Sequence, residues 1–353
     1  MQRRVDARDA VGVSEAHSVA ELRRRMIDPA RLAGVTPVVF DDGPRRGARA
    51  LHVRNAAGLS VTFVTDRALD ASELVFRGHP LTWHGPGNAV PALDSDPEVG
   101  AFERTFFGGL VTTCGMEAFG PPGEDRWGDW PQHGHFNRLC ARDVRYTVRW
   151  DEPVPVIEVC GTILQFRMFG ESLRVQRTWR VGVYENSITL HDRVTNDGGR
   201  REPHMLLYHC NIGFPMLDDA TFWTIDAAST EPRDAVAEAA LGVWNRGAPP
   251  QPQFAEQVFV HQPSADEAGW ATATATNPRL AGGTSLSIGF RPIELPALFS
   301  WRMLGYGTYV MAAEPANCPN VHGRIAAERD GSLPMLEPGE TRDYTLRFSV
   351  SGA

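Results

Sequence analysis

Apolar and polar positions alternate in short runs along most of this chain. Val144, Tyr146, Val148 and Trp150 alternate with Arg145, Thr147 and Arg149. A period of two predicts a strand with one buried face. Compact apolar runs at 51–53, 59–64, 73–76, 258–260, 286–290, 298–303, 309–311 and 344–350 lie between Gly, Pro, Asn and Asp residues, which predicts further strands. Leu173–Val183 and Ser187–Val194 flank Tyr184-Glu185-Asn186 as a hairpin would, and Pro155–Phe169 reads as a long strand bent near Gly161. Helical periodicity is weak outside 19–27 and 233–241. The pattern therefore predicts an all-β sandwich or barrel. Residues 38–353 form one large domain in this reading, with 227–256 as a loop excursion. Residues 1–37 form a charged N-terminal extension with a short helix.

One run departs from the rest. His204–Leu217 passes from Met205, Leu206 and Leu207 into Tyr208, His209 and Asn211, and ends at Gly213 and Pro215. It predicts a mostly buried strand that delivers polar side chains to one place, where they need partners. Residues 308–313 are likewise largely apolar and lead straight into Glu314 and Pro315. One imidazole and one carboxylate at strand ends make a candidate acid–base pair. A single strand histidine also suits a satisfied core position, and a buried Glu314 needs a cation, for which Arg324 is the nearest candidate in the pattern.

Composition narrows the chemistry. All 35 basic residues are arginine, which removes Schiff-base, pyridoxal-phosphate and P-loop enzymes, each of which needs a lysine. The net charge of −8, with no basic run beyond Arg23-Arg24-Arg25, argues against a nucleic-acid partner. No apolar stretch is long enough for a membrane helix, and the N-terminus lacks the apolar core of a secretory signal. Five cysteines without a C-x-x-C pair suit reduced thiols and a cytoplasmic setting. No Gly-x-Ser-x-Gly elbow or His-Glu-x-x-His motif occurs, and Gly305-Tyr306-Gly307 lacks the third glycine of a dinucleotide loop.

Three further clusters carry candidate chemistry. Asp66-Arg67-Ala68-Leu69-Asp70 is either a surface turn with a local ion pair or a place where Arg67 grips substrate hydroxyls. Phe107–Glu117 holds glycines suited to close backbone approach, a Cys114 that reads as a small buried hydrophobe, and Glu117. His133 and His135 point the same way if that segment is extended. The spacing also suits a metal, but Arg138 and Leu139 stand where a cupin-like site places a glutamate. Trp83, Trp127, Trp130, Phe136 and Phe214 are candidate stacking surfaces for a sugar.

Taken in order, Asp66-Arg67-Ala68-Leu69-Asp70, Gly108-Gly109-Leu110 with Thr113-Cys114-Gly115, His133-Gly134, Tyr208–Gly213, and Glu314-Pro315 through Gly323-Arg324 resemble the aldose 1-epimerase (galactose mutarotase-like) superfamily over residues 35–350. The resemblance implies a large antiparallel β-supersandwich. It also implies a cofactor-independent enzyme acting on a small sugar, with His209 as acid and Glu314 as base. His133, His135, Arg67, Asn211, Glu117 and Arg324 become candidate substrate ligands. Tyr208-His209-Cys210-Asn211 replaces the Asn-His-x-Tyr of better-known members, and Pro315 replaces their Thr-Gln, which leaves the sugar open. Two other readings stand beside it: a metal-assisted sugar isomerase using His133, His135, His209 and Glu314, and a non-catalytic carbohydrate-binding domain.

Overall fold

The computed structural model describes residues 19–85 and 101–352; part of the predicted N-terminal extension, residues 1–18, lies outside them. Three large antiparallel sheets of five, eight and six strands, with two two-stranded ones, build the described residues. The eight-stranded sheet runs, from edge to edge, through Phe222–Ile225, Ala271–Asn277, Thr284–Phe290, Thr341–Gly352, Ser187–Asn196, Ser172–Gly182, Val156–Phe166 and Arg142–Arg149. Its strands alternate buried and outward residues along most of their length, as the period of two requires. The predicted hairpin is present as Ser172–Gly182 paired with Ser187–Asn196. The long strand Val156–Phe166 breaks its register with its neighbour between Cys160 and Thr162, at the expected bend.

The five-stranded sheet (Gly34–Val39, Arg49–Arg54, Leu59–Val64, Asp70–Phe76, His79–Pro80) and one face of the six-stranded sheet close over the eight-stranded one. One apolar core joins all three: Val53, Phe63 and Leu74 from the first, Trp179 and Leu190 from the second, Tyr208, Ile212 and Ala313 from the third. Burial of such side chains supplies roughly 1.5–3 kcal/mol each. Packed antiparallel sheets around one core agree with the large β-supersandwich that the resemblance implied.

Several elements differ from the sequence reading, which held no counterpart of the short helices Ala101–Thr105 and Arg324–Asp330. Residues 227–256 are not simply a loop excursion, because Ala227–Pro232 pairs with Gln257–Pro263 as the edge of the six-stranded sheet. Helices occupy Val19–Arg25 and Ala235–Ala239, the second capped by the Asp234 side chain on the Ala237 N–H, so both are shorter than the periodicity suggested. Among the described residues, no helix is long and apolar enough to cross a membrane.

Candidate functional site

The six-stranded sheet runs Ala227–Pro232, Gln257–Pro263, Ala297–Gly305, Thr308–Ala316, Leu207–Gly213, Thr112–Cys114. Every residue of Leu207–Gly213 is buried, so alternation cannot be read from exposure. It appears instead in the neighbours. Tyr208, Cys210 and Ile212 enter the main core, while Leu207 and His209 face a cleft of about 900 Å³ on the other side. Register then places the rest of the floor. Glu314 lies opposite Phe299, and Trp301 opposite Val258. Glu314, Phe299, Trp301, Met303 and Val258 all line the cleft.

His209 and Glu314 meet there, with Nε2 3.2 Å from Oε1. Both are almost wholly buried, His209 between the rings of Phe106 and Trp301 at centroid distances of 5.0 and 5.4 Å. Burial pushes the Glu314 carboxyl up to about 8, helped by the Glu256 carboxylate and opposed by Arg233. Burial and the neighbouring His133 push His209 down to about 3, with Asn211 acting weakly the other way. At neutral pH the pair therefore holds one proton, on the carboxyl side, rather than standing as an ion pair.

His133 completes this corner. Its ring lies 4.5 Å from Phe102 and 6.3 Å from His209. Its Nδ1 accepts the Gly120 N–H at 3.4 Å, which leaves the proton of the neutral ring on Nε2. Burial lowers its pKa to about 4. The following residue must be glycine: at Gly134 φ is +72°, and a Cβ would stand 2.4 Å from the Gly115 carbonyl oxygen.

Arg233 and Glu256, which the sequence reading placed in the 227–256 excursion without a role, form the cleft's far wall. The Arg233 N–H donates to the Val258 carbonyl, and its guanidinium reaches Glu256 at 3.0 Å and Asp234 at 2.8 Å. Glu256 also accepts from the Trp301 indole N–H at 3.1 Å. Only the strand pairing brings these residues together, so no local signal marked them. Phe299, Trp301 and Met303 were legible, being alternate positions of a predicted strand.

Other candidates fall elsewhere. Arg67 does not face the cleft: it is buried and its guanidinium holds the backbone carbonyls of Asn137 and Thr105. Arg324 pairs with Asp125 at 2.8 Å and lies over the Trp130 ring, so it is not the partner of Glu314. Glu117 accepts from Gln165 and His135 outside the cleft, which separates His135 from the other three members of the metal set expected above. Asn211 is covered by the 107–109 segment and donates to the Gly109 carbonyl. Of the proposed stacking rings Trp83 alone lines the cleft; Phe136 is in the core and Phe214 lies on the surface.

Residues 45–350 match the family described as Domain of unknown function (DUF4432). The chain belongs to this DUF4432 family. No curated protein matches the sequence. Among solved structures, a Klebsiella pneumoniae protein named a "putative aldose 1-epimerase" superposes with a TM-score of 0.84 at 23% identity, covering 90% of this chain and 83% of that one. A galactose mutarotase-like protein of Clostridium acetobutylicum gives 0.62 at 11% identity over 92% and 100%. A galactose 1-epimerase of Lactobacillus acidophilus gives 0.58 at 12% identity over 90% and 99%. At such identities the likeness is one of fold.

Proposed function

We propose that this protein is a cofactor-independent aldose 1-epimerase that interconverts sugar anomers by acid–base chemistry between His209 and Glu314. The observation that carries the reading is the 3.2 Å approach of these two side chains on the floor of a large cleft. Anomer exchange removes the proton of the C1 hydroxyl as the C1–ring-oxygen bond breaks, and delivers a proton to the ring oxygen. The open-chain aldehyde rotates about C1–C2 and closes by the reverse steps. A pair holding one proton is suited to this, since one member must give while the other takes.

Before transfer the proton rests on Glu314. Moving it to His209 Nε2 produces the carboxylate base and imidazolium acid of the reading from resemblance. Hydroxyl groups of a bound sugar favour that transfer, because they hydrogen-bond the charged forms that burial otherwise disfavours. In this reading the His133 Nε2–H donates to a substrate oxygen. The apolar rings of Trp83, Phe106 and Trp301 offer a surface for the C–H face of a pyranose.

Polarimetry on freshly dissolved single anomers of common aldoses tests the proposal. The protein accelerates anomer exchange, and Glu314→Gln, which keeps size and hydrogen-bonding capacity, loses about 10²–10⁴-fold or more. Full activity in Glu314→Gln would remove the assignment. Saturable sugar binding with no acceleration by the unaltered protein would favour a binding domain instead.

A further inference from the structure

Trp83 has two roles in the surface. It lines the cleft, and it also lines a neighbouring depression of about 400 Å³ together with Phe214, Gly307 and Tyr309. Those last three residues continue into another depression, of about 480 Å³, completed by Tyr306 and Asp218. Thr308, between Gly307 and Tyr309, faces the cleft itself. Three hollows thus follow one another around the turn that joins Ala297–Gly305 to Thr308–Ala316.

The outer hollows are not ordinary surface. Phe214 and Tyr306 expose 73% and 67% of their area, so two large rings face water near one another without covering each other. Their supports are fixed. The Tyr306 N–H donates to the Gln251 carbonyl, the Gln251 N–H to the Leu304 carbonyl, and the Tyr309 hydroxyl to the Ala248 carbonyl. The proline-rich stretch at 248–253 thereby braces the turn. Glu73 and Asp218 supply carboxylates, Asp219 is held by Arg279 at 2.6 Å, and no arginine lines either outer hollow among the described residues.

Aromatic faces beside acceptor carboxylates suit a ligand with apolar C–H faces and many hydroxyl donors. The Glu73 and Asp218 carboxylates disfavour a phosphate or a uronic acid. We propose that these hollows bind the further units of a neutral reducing oligosaccharide whose reducing-end sugar occupies the cleft. The proposal rests on the reading of the cleft as an anomer-exchanging site, and it deepens that reading by naming the substrate class.

The test uses the full chain and neutral glucose- and galactose-terminated di- and trisaccharides with α and β linkages, each compared with its reducing-end monosaccharide. Calorimetry on Glu314→Gln gives binding, and polarimetry on the unaltered protein gives turnover. At least one oligosaccharide binds about tenfold tighter than its monosaccharide, the effect of one good stacking contact, and the Phe214→Ala/Tyr306→Ala double variant loses that advantage. Both rings are exposed, so circular dichroism of the variant should match the parent. No oligosaccharide advantage anywhere in the panel, or an advantage that survives in the double variant, overturns the proposal. Acceleration on monosaccharides alone leaves the cleft reading standing without the groove. Groove-dependent binding without acceleration leaves the groove and removes the catalytic reading.

Discussion

His209 and Glu314 are direct register partners on neighbouring antiparallel strands. Leu207 pairs with Ala316 and Cys210 with Ala313, so residue numbers of partners sum to 523 and His209 falls opposite Glu314. Their side chains share the cleft face and approach to 3.2 Å. A slip of one residue would send one of them into the core. The apolar side chains on the core face therefore hold the polar pair in place.

The one-proton state makes activity depend on pH. Anomer exchange, corrected for the spontaneous rate, falls as pH rises through about 8, where Glu314 loses its proton. Glu256 raises that value and Arg233 lowers it, so Glu256→Gln moves the alkaline limb to lower pH. Initial rates by polarimetry from about pH 6 to 9 decide the matter; a limb that stays in place in Glu256→Gln contradicts the electrostatic account.

Acid stability gives a second expectation. His204, His209 and His261 are buried and His133 is half-buried; all four are neutral, with pKa values pushed down from 6.5 to about 3, 3, 4 and 4. Below pH 6.5 the unfolded chain binds protons at these sites that the folded chain refuses, so stability is lost as pH falls. Glu314 acts oppositely: its pKa rises on folding, so its contribution is present at low pH and lost as pH climbs from 4.5 through about 8. Asp70, also raised by burial, acts in the same sense as Glu314. With His84, also lowered, and Glu294, also raised, the histidines outweigh the carboxyls by about two protons between about pH 4.5 and 6.5, at most about 3 kcal/mol per pH unit. Urea midpoints should fall steadily on acidification through that range, and a flat profile there would count against it.

Arg177 is the expected weak point of the core. It is fully buried between Asp70 and Asp192, and Tyr208 donates to Asp192 at 2.8 Å from the far face of the His209 strand. Arg177→Met leaves two carboxylates buried without their cation, which costs about 3–5 kcal/mol. Asp70→Asn and Asp192→Asn added to that variant recover part of the loss. Denaturant unfolding of the three proteins measures both steps.

Asn211 is a positioning residue in this account. Its Oδ1 and the Nδ1 of His209, two residues apart on one strand face, are both buried without a hydrogen-bond partner. When His209 Nε2 receives a proton, Nδ1–H faces that amide. Asn211→Leu lowers kcat by about tenfold or more while KM changes little, and it shifts the acid limb of the rate profile because an acceptor near the imidazolium is gone. Steady-state kinetics with the pH profile separate this from simple loss of fold.

Much of the architecture was legible locally. Strand 59–64 was expected at the bounds it occupies, and the 173–194 hairpin within one or two residues. Ala271–Asn277, an Ala-Thr alternation, was missed although its pattern is regular, because small residues give a weak apolar signal. Within the site, His133, His209 and Glu314 come together as expected. Arg67, Glu117, Asn211 and Arg324 do not reach the cleft, because motif order along a chain does not tell which face of the fold a polar group serves. A buried arginine that holds backbone carbonyls and one that grips a ligand leave the same letter in the sequence.

The sequence by itself determined the class of chemistry available and the all-β character, since absent lysines and a period of two are local properties. It also supplied the imidazole and the carboxylate. The tertiary structure decided what they are to each other. Pairing across strands set them 3.2 Å apart, brought Arg233 and Glu256 to the opposite wall, and removed the water that would have kept Glu314 ionised. Desolvation depends on every chain segment packed around a group, and so it is fixed only when the whole fold is in place.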